Sequence, residues 1–233
     1  MSDGLSKNSI TNSKSLTNAP ILSVQGLGRK IQNQWLWQNL NFELLPGERV
    51  AVVGASGSGK SQLLRAIASL DPIQAGYIFF QGKPIDSCYT PHYRSQVIYL
   101  HQRPALWEGT VEDNLQQIYR LAIHRQQVYT RKVILNYLQL LHKPADFLQR
   151  SVSVISGGEA QIVAFLRALQ LSPLVLLLDE PTASLDTATA NCLETLVAAW
   201  QQEEPQRAYL WTSHDSAQLQ RITNRQINLK IYE

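Results

Sequence analysis

The sequence contains no apolar run long enough to cross a membrane. A membrane-spanning helix needs roughly 20 consecutive apolar residues, and no stretch of the 233 residues approaches that length. We therefore expect a cytoplasmic protein whose action on a membrane goes through a partner. The segment Met1–Pro20 is rich in Ser, Asn, Thr and Lys and lacks the apolar core of a signal peptide. We expect residues 1–20 to form a disordered polar tail.

Charge and cysteine are also scarce. Charged residues make up 17% of the chain, the net charge is +3, and Lys and Arg form no cluster, so we predict no nucleic-acid partner. The cysteines, Cys88 and Cys192, have no CxxC or metal-type spacing, and both are predicted to be buried thiols in a reducing compartment. The hydrophobic fraction of 44% is ample for a core. The length favours one large domain, residues 21–233.

Strand patterns alternate with helical patterns along most of the chain. Strands are predicted at Leu40–Leu44, Arg49–Val53, Leu174–Leu178, Ala208–Thr212 and Ile227–Ile231. The run Leu174–Leu178 is wholly apolar, which is typical of a central strand buried on both faces. Helical spacing of apolar residues follows Lys60 and recurs over Leu193–Trp200. This alternation favours an α/β fold with a mostly parallel sheet flanked by helices.

The middle of the chain carries few strand signals. Thr110, followed three residues later by Asp113, can cap a helix. A second helical pattern covers Val128–His142, with Pro144 after its end. We therefore predict a mainly helical insert over Pro91–Ser153.

A glycine-rich loop follows the strand Arg49–Val53. The segment Gly54–Ser61 fits the pattern G-x-x-x-x-G-K-[ST] in full, and a helical pattern begins directly after it. Glycines let backbone N–H groups converge on an anion, and the next helix points its positive end at the same group. Lys60 would reach the β- and γ-phosphates of a nucleotide, and the Ser61 hydroxyl would ligate Mg²⁺. The predicted phosphate-binding residues are Gly54, Ala55, Ser56, Gly57, Ser58, Gly59, Lys60 and Ser61.

An acidic pair follows the apolar strand Leu174–Leu178. Ligands bind α/β sheets beyond the carboxyl ends of the strands, and Asp179 and Glu180 occupy that position. Asp179 is predicted to hold Mg²⁺ on the side opposite Ser61. Glu180 is predicted to orient or deprotonate an attacking water. Taken alone, the pair fits a solvated turn equally well, and the phosphate loop in the same chain favours the functional interpretation.

The segment Ile155–Glu159 opens another helical pattern. Ser156 as N-cap and Glu159 three residues later form a capping-box sequence. Each glycine in a helical turn is less favourable than alanine by about 1 kcal/mol. Close approach of the backbone to an anion would explain why Gly157 and Gly158 are tolerated there.

In series, these motifs resemble those of the ATP-binding subunits of ABC transporters. Gly54–Ser61 matches the Walker A loop of that family, and Leu174–Glu180 matches its Walker B strand. Ile155–Glu159 resembles the LSGGQ signature, and Ala183–Asp186 resembles the D-loop. The order along the chain is that of the family, and the resemblance covers roughly Ile21–Ile231.

The resemblance assigns roles to isolated residues as well. Gln102 falls at the Q-loop glutamine, which would sense Mg²⁺ and link the site to the membrane subunit. His214 matches the switch histidine, which would contact the γ-phosphate. The implied catalytic residues are Glu180, His214, Lys60 and Gln102, and the implied metal ligands are Ser61, Gln102 and Asp179. The nucleotide site would also include Ser156, Gly157, Gly158, Glu159 and Asp186.

The family implies an ATPase with a P-loop NTPase core, an antiparallel β subdomain and a helical subdomain. The core would comprise residues 21–90 and 165–233, and the helical subdomain residues 91–164. Two copies would pack head to tail, with each ATP between Gly54–Ser61 of one copy and Ser156–Gly158 of the other. ATP and Mg²⁺ are the implied cofactors. A membrane-spanning permease is the implied partner, holding the chain at the inner face of the cell membrane.

The sequence departs from the family pattern at several positions, including the signature and the adenine-stacking position. Glu159 stands where glutamine is commoner in the signature. Ile31 falls at about the position of the aromatic residue that stacks on adenine, and Trp35 or Trp37 could substitute, so the stacking residue stays unassigned. Trp107 is either an anchor for the permease or a core tryptophan.

Two stretches narrow the resemblance further. Tyr93–Val97 and Leu106–Val111 resemble the YbbL-type ATPases, which are associated with export of metals such as iron. An ABC-type ATPase acting on DNA or ribosomes is an alternative, although the chain has neither a long coiled coil nor a second motif set. A regulatory module that binds nucleotide without hydrolysing it is another, and the presence of Glu180 and His214 argues against it.

Overall fold

The computed structural model describes residues 19–230. The predicted polar tail, residues 1–20, lies outside the described residues except for its last two. The strands are β1 (Leu22–Ile31), β2 (Gln34–Leu44), β3 (Arg49–Val53), β4 (Ala75–Phe80), β5 (Lys83–Pro84), β6 (Val97–Leu100), β7 (Val175–Asp179), β8 (Ala208–Thr212) and β9 (Arg225–Asn228). The helices are α1 (Lys60–Ile67), α2 (Thr90–Gln96), α3 (Val111–Gln117), α4 (Arg131–Leu140), α5 (Gly157–Leu169), α6 (Thr187–Glu203) and α7 (Ser216–Ile222). Short 3₁₀ turns occur at Ile85–Ser87, Ile118–Arg120, Ala122–His124 and Ala145–Gln149.

A five-stranded parallel sheet forms the centre of the fold, in the order β6-β7-β8-β3-β9. Helix α1 follows β3, α5 leads to β7, and α6 and α7 connect β7 to β8 and β8 to β9. All five residues of β7 and of β8 are buried, as expected for central strands covered on both faces. The predicted α/β class with a mostly parallel sheet is confirmed. The carboxyl ends of these strands lie along one edge.

A second, antiparallel sheet has four strands in the order β2-β1-β4-β5. Its central strand β1 has irregular register with β2 between Val24 and Lys30. Gly76 in β4 lies against β1 so closely that an added Cβ would be 2.4 Å from the Gln25 carbonyl oxygen, so only glycine fits there. This sheet confirms the antiparallel β subdomain implied by the family resemblance.

The two faces of the parallel sheet bury two separate hydrophobic clusters. Strand residues alternate between faces, so Leu176 and Leu178 face one cluster while Val175 and Leu177 face the other. The first cluster includes α3, α4, α5 and α6, and the second includes α1 and the antiparallel sheet. Helix α1, which begins at the end of the phosphate loop, packs in the second cluster.

The expected mainly helical insert differs from the structure at its beginning. The segment Pro91–Ser153 contains β6, which pairs in parallel with β7 as an edge strand of the core sheet. Strand β6 follows α2 directly, and Val97 is both the C-cap of α2 and the first residue of β6. Because no Gly or Pro separates the two elements, the sequence shows no break between them.

Other element bounds also differ. Helix α4 covers Arg131–Leu140, which is shorter than the predicted Val128–His142. The last strand ends at Asn228, before the predicted end at Ile231, which lies outside the described residues.

The prediction for the thiols is wrong in part, because Cys88 and Cys192 are free but only half-buried. Both residues pack at the margin of a hydrophobic cluster rather than inside it.

Candidate functional site

The predicted phosphate loop lies between β3 and α1. Gly57 and Gly59 have left-handed backbone, with φ of 79° and 87°, a conformation that favours glycine. An added Cβ at Gly59 would lie 2.5 Å from Leu36 Cδ2 and 2.7 Å from Trp37 Nε1. At Gly57 an added Cβ would meet nothing within 4 Å. The two glycines thus differ: Gly59 lets the loop pack on β2, and Gly57 leaves an open face for an anion.

Lys60 is the first residue of α1 and is only 8% exposed. Its Nζ donates to the carbonyl oxygens of Gly54, at 2.9 Å, and Ala55, at 3.1 Å. Ala55, Ser56 and Gly57 are exposed. The ammonium group is therefore folded over a loop whose outer residues are open to solvent.

Asp179 lies at the end of β7 and is 4% exposed. Its Oδ1 accepts hydrogen bonds from Ser61 Oγ and from Thr212 Oγ1, both at 3.0 Å. Its Oδ2 accepts one from the Tyr99 hydroxyl at 2.8 Å. The structure thus brings the predicted metal ligands Ser61 and Asp179 together, across 118 positions of sequence. Their oxygens lie side by side, whereas the prediction placed them on opposite sides of the metal.

Sequence reasoning missed Tyr99 and Thr212. Thr212 is paired in register with Asp179 on the neighbouring strand. The sequence feature that could have predicted this contact is the hydroxyl residue at the end of the strand Ala208–Thr212. Burial raises the pKa of the Tyr99 hydroxyl, and its hydrogen bond to Asp179 raises it further. Tyr99 is therefore a neutral donor at physiological pH.

The oxygens of Ser61 and Asp179 suit Mg²⁺. This ion takes oxygen ligands at about 2.1 Å in an octahedron, so neighbouring ligands lie about 2.9 Å apart. The 3.0 Å between Ser61 Oγ and Asp179 Oδ1 matches that spacing. Within the described part of the chain, no group of three or more His, Cys, Asp and Glu side chains is arranged to hold a metal ion.

Glu180 joins the other predicted catalytic residues. Its Oε2 accepts a hydrogen bond from Gln102 Nε2 at 3.2 Å, and its Oε1 lies 2.9 Å from His214 Nε2. These residues follow β6, β7 and β8, which are adjacent in the sheet. The Glu180 side chain is 18% exposed and that of His214 is 66% exposed. A half-buried carboxylate thus stands between two polar side chains that fix its orientation.

The backbone of Glu180 is also unusual. Its φ is 47°, in the left-handed region, which costs a residue with a Cβ roughly 1–2 kcal/mol. Its N–H donates to Thr212 Oγ1 at 2.9 Å. This bond helps to hold the strained turn beside Asp179.

The predicted signature opens α5 as a capping box. Ser156 Oγ accepts from the Glu159 N–H, and Glu159 Oε2 accepts from the Ser156 N–H, each at 3.1 Å. Glu159 also pairs with Lys143 at 3.0 Å and with Arg150 at 3.4 Å. An added Cβ at Gly157 would meet nothing within 4 Å. The first turn of α5 therefore presents an open backbone beside two cationic side chains.

The signature residues do not meet the phosphate loop of the same chain. Among residues 19–230, no hydrogen bond joins Ser156–Glu159 to Gly54–Ser61. Ser156–Glu159 line one cleft together with Asp186, the N-cap of α6. Glu180 and His214 line an adjacent cleft, and Leu185 belongs to both. The predicted site residues thus form two groups.

The structure gives the surroundings of Trp35, Trp37 and Trp107. Trp37 is wholly buried, whereas Trp35 is half-buried with Lys30 Nζ 4.5 Å from its ring centroid. Trp107 is 47% exposed and Arg167 stacks on its ring at 4.8 Å, so the core interpretation of Trp107 is wrong. None of the helices among the described residues is both long and apolar enough to span a membrane.

Comparisons with known proteins agree with this geometry. The sequence model of the family described as ABC transporter matches residues 37–183. The chain is 34% identical over 202 residues to a protein of Escherichia coli strain K12 named "Probable iron export ATP-binding protein FetA". That alignment covers 87% of this chain and 88% of the relative.

Two solved structures are similar in fold. One is cbiO1 from Clostridium perfringens, described as part of the ABC transporter complex cbiONQ, with a TM-score of 0.76, 24% identity, and 91% of this chain and 85% of that chain covered. The other is a dimer of the ATP-binding cassette MJ0796 in a post-hydrolysis state bound to ADP and Pi, with a TM-score of 0.76, 24% identity, and 90% and 94% covered. At this identity the likeness shows the fold alone.

Proposed function

The chain belongs to the ABC transporter family and is an ATP-binding, ATP-hydrolysing subunit, and from that premise we propose that its site acts on Mg·ATP, is completed by a second copy, and drives a membrane-spanning permease. The observation that carries this proposal is the Glu180 carboxylate, held by Gln102 and His214 at the strand end beside Asp179. That arrangement suits activation of a water molecule next to a phosphate.

The chain's own residues divide the work. Lys60 would exchange its two carbonyl partners for phosphate oxygens, which as anions are the stronger acceptors of an ammonium group. Ser61 and Asp179 would hold Mg²⁺, which supplies neutralisation of charge on the transferring phosphoryl group. Glu180 would orient the attacking water and take its proton, while His214 and Gln102 fix the carboxylate.

A second copy supplies what one chain lacks in this proposal. Ser156 and Gly157 are exposed at the N-terminus of α5, where helix N–H groups favour an anion. Among the described residues they form no hydrogen bond with their own phosphate loop, and head-to-tail packing would present them to the nucleotide of the partner. Nucleotide would then stabilise the dimer, and hydrolysis would release it.

The permease would move with this opening and closing, and it would hold the chain at the inner face of the membrane. The similar cbiO1 belongs to a transporter complex, and the similar cassette MJ0796 forms a dimer, which supports both parts of the proposal. The exposed Trp107, stacked on Arg167, is a candidate contact for the permease, because large aromatic side chains often anchor interfaces.

For the transported substrate we propose a metal ion, with iron as the first candidate. Support comes from the 34% identity to a protein named for iron export, over most of both chains. Cells lacking this chain would then accumulate iron and lose iron tolerance. Unchanged iron content and iron tolerance would contradict the assignment of iron as substrate and would not bear on the ATPase activity.

The substitution Glu180→Gln tests the hydrolytic proposal. It keeps the size of the side chain and removes the proton acceptor, so ATP hydrolysis should fall roughly 10²–10⁴-fold, while Mg·ATP stays bound and traps a dimer. Phosphate release and size-exclusion chromatography with Mg·ATP measure the two effects. Glu203→Gln, on α6 and outside both clefts, is the matched control and should hydrolyse ATP normally.

Adding Ser156→Arg to the Glu180→Gln variant tests whether a second copy completes the nucleotide site. Ser156 lies away from the phosphate loop of its own chain, so the double variant should bind ATP as a monomer and form no dimer. Normal hydrolysis by Glu180→Gln would refute the role of Glu180. A dimer that survives Ser156→Arg would refute head-to-tail packing.

A further inference from the structure

The Asp179 carboxylate is buried without a cation beside it. It is 4% exposed, and within residues 19–230 it forms no ion pair. Burial of an unpaired charge is unfavourable unless hydrogen bonds compensate. The hydroxyls of Ser61, Thr212 and Tyr99 provide them.

These hydroxyls act on different oxygens. Ser61 and Thr212 share Oδ1, whereas Tyr99 bonds to Oδ2. A carboxylate rotates about its Cβ–Cγ bond, and a donor on Oδ2 opposes that rotation. Tyr99 therefore helps to fix the plane of the carboxylate, and with it the direction of Oδ1, the oxygen beside Ser61.

Tyr99 is itself held firmly. Its ring lies on β6 with the edge of His101 packed against it, at a centroid distance of 6.1 Å. The donor to Asp179 thus lies on a strand of the core sheet and against a second ring.

We propose that Tyr99 is a positioning residue for magnesium, because its hydroxyl holds Asp179 Oδ2 so that Oδ1 stays beside Ser61 Oγ. This inference rests on the proposed function, in which Ser61 and Asp179 hold Mg²⁺. Tyr99 touches neither nucleotide nor metal in this arrangement, and it acts through the carboxylate. Partners that orient metal ligands contribute roughly 10–100-fold to metal affinity in other proteins.

The test is the substitution Tyr99→Phe, which removes only the hydroxyl. Binding of a fluorescent ATP analogue is titrated with Mg²⁺ and, separately, with EDTA. In EDTA the affinity of the variant for the analogue should match that of the unmodified protein within about twofold. Mg²⁺ increases this affinity, and the Mg²⁺ concentration needed for half of the increase should be about tenfold higher or more in the variant. Saturating Mg²⁺ should restore kcat to within about threefold, because the reacting groups are intact.

Tyr93→Phe is the matched control. The Tyr93 hydroxyl is also buried and donates to the Ile67 carbonyl, away from Asp179. This variant should lose stability and keep the magnesium dependence of the unmodified protein.

The outcomes separate the two proposals. If the unmodified protein binds and hydrolyses ATP without regard to Mg²⁺, the proposed function fails. If it depends on Mg²⁺ and Tyr99→Phe behaves identically, the positioning role of Tyr99 is refuted. An equal shift in Tyr93→Phe would also refute it, because loss of a buried hydroxyl would then suffice.

Discussion

The capping box at the start of α5 predicts different effects for two substitutions of Glu159. Its carboxylate accepts the Ser156 N–H at 3.1 Å and pairs with Lys143 at 3.0 Å and Arg150 at 3.4 Å. Glu159→Ala removes all of these contacts. A hydrogen bond contributes about 1 kcal/mol, and a partly exposed ion pair contributes about 0.5 kcal/mol. The loss of one hydrogen bond and two ion pairs therefore lowers the free energy of unfolding by about 2 kcal/mol.

Glutamine can keep the capping contact, because Gln serves at the third helical position of a capping box. Glu159→Gln should therefore lose only the contribution of the two ion pairs, about 1 kcal/mol. For a chain of this length, 1 kcal/mol corresponds to a Tm change of about 2–4 °C. Thermal unfolding at neutral pH without nucleotide should show a fall of about 4–8 °C for Ala and about 2–4 °C for Gln. ATP hydrolysis should survive in the Gln variant, because Ser156 and the glycines are unchanged.

Acidification provides a second measurement. Burial raises the pKa of Glu159. The pKa is lowered by the hydrogen bonds from Lys143 and from the Ser156 N–H and by the charges of Lys143 and Arg150, and the net result lies below the ordinary 4.5. A lowered pKa in the folded state means that the carboxylate stabilises the fold above that ordinary value and stops doing so as the pH falls through the folded pKa. The stability difference between the unmodified protein and Glu159→Gln should therefore be full above pH 4.5 and shrink as the pH falls below that value.

A double-mutant cycle with Lys143→Met isolates the ion pair. The cost of Lys143→Met should be smaller in the Glu159→Gln background than in the unmodified chain, because the charge partner is gone. If Gln lowers the Tm as much as Ala does, the capping contact contributes little and the reasoning is wrong. Equal costs of Lys143→Met in both backgrounds would refute the ion-pair contribution.

Two further predictions concern the phosphate loop and its surroundings. Gly59→Ala should abolish binding of ATP, because φ is 87° and the new Cβ would lie 2.7 Å from Trp37 Nε1. Gly57→Ala, with open space around it, should weaken binding about tenfold or less. Nucleotide titration compares the two variants, and equal losses of affinity would contradict the packing argument. The hydrogen bond from Arg65 lowers the pKa of Asp71 below its ordinary 3.8, so this pair stabilises the fold at neutral pH and stops doing so as the pH falls below that value. Urea unfolding measures the free energy of unfolding at pH 7 and at pH 3. The decrease between the two pH values should be smaller for Asp71→Asn than for the unmodified protein.

The sequence predicted the elements whose patterns are local. Strand β3 and β8 have the predicted bounds, and the capping boxes of α3 and α5 are present as predicted. In these cases a few consecutive residues determine the conformation, through alternation or through side-chain capping. Strand β6 was missed because its four residues follow α2 without a break. Strand β1 was missed because its register shifts interrupt the alternation.

The site was predictable where one motif contains all of the chemistry. The phosphate loop and the acids after β7 are such motifs, and in the structure Ser61 and Asp179 are joined by a hydrogen bond. Tyr99 could not be predicted, because its importance depends on the register between β6 and β7 rather than on its neighbours in sequence. Trp107 was ambiguous for a related reason: an aromatic residue in a loop gives no sign of whether a cation such as Arg167 will cover it.

The left-handed backbone of Glu180 has a consequence for protein engineering. At φ of 47°, glycine would relieve the strain that a side chain imposes there. A selection for thermal stability alone would therefore favour replacement at this position and would enrich variants that keep ATP and never consume it. Natural sequences keep functional residues at such strained positions although stability opposes them. Any programme that stabilises this chain must therefore score turnover together with melting temperature.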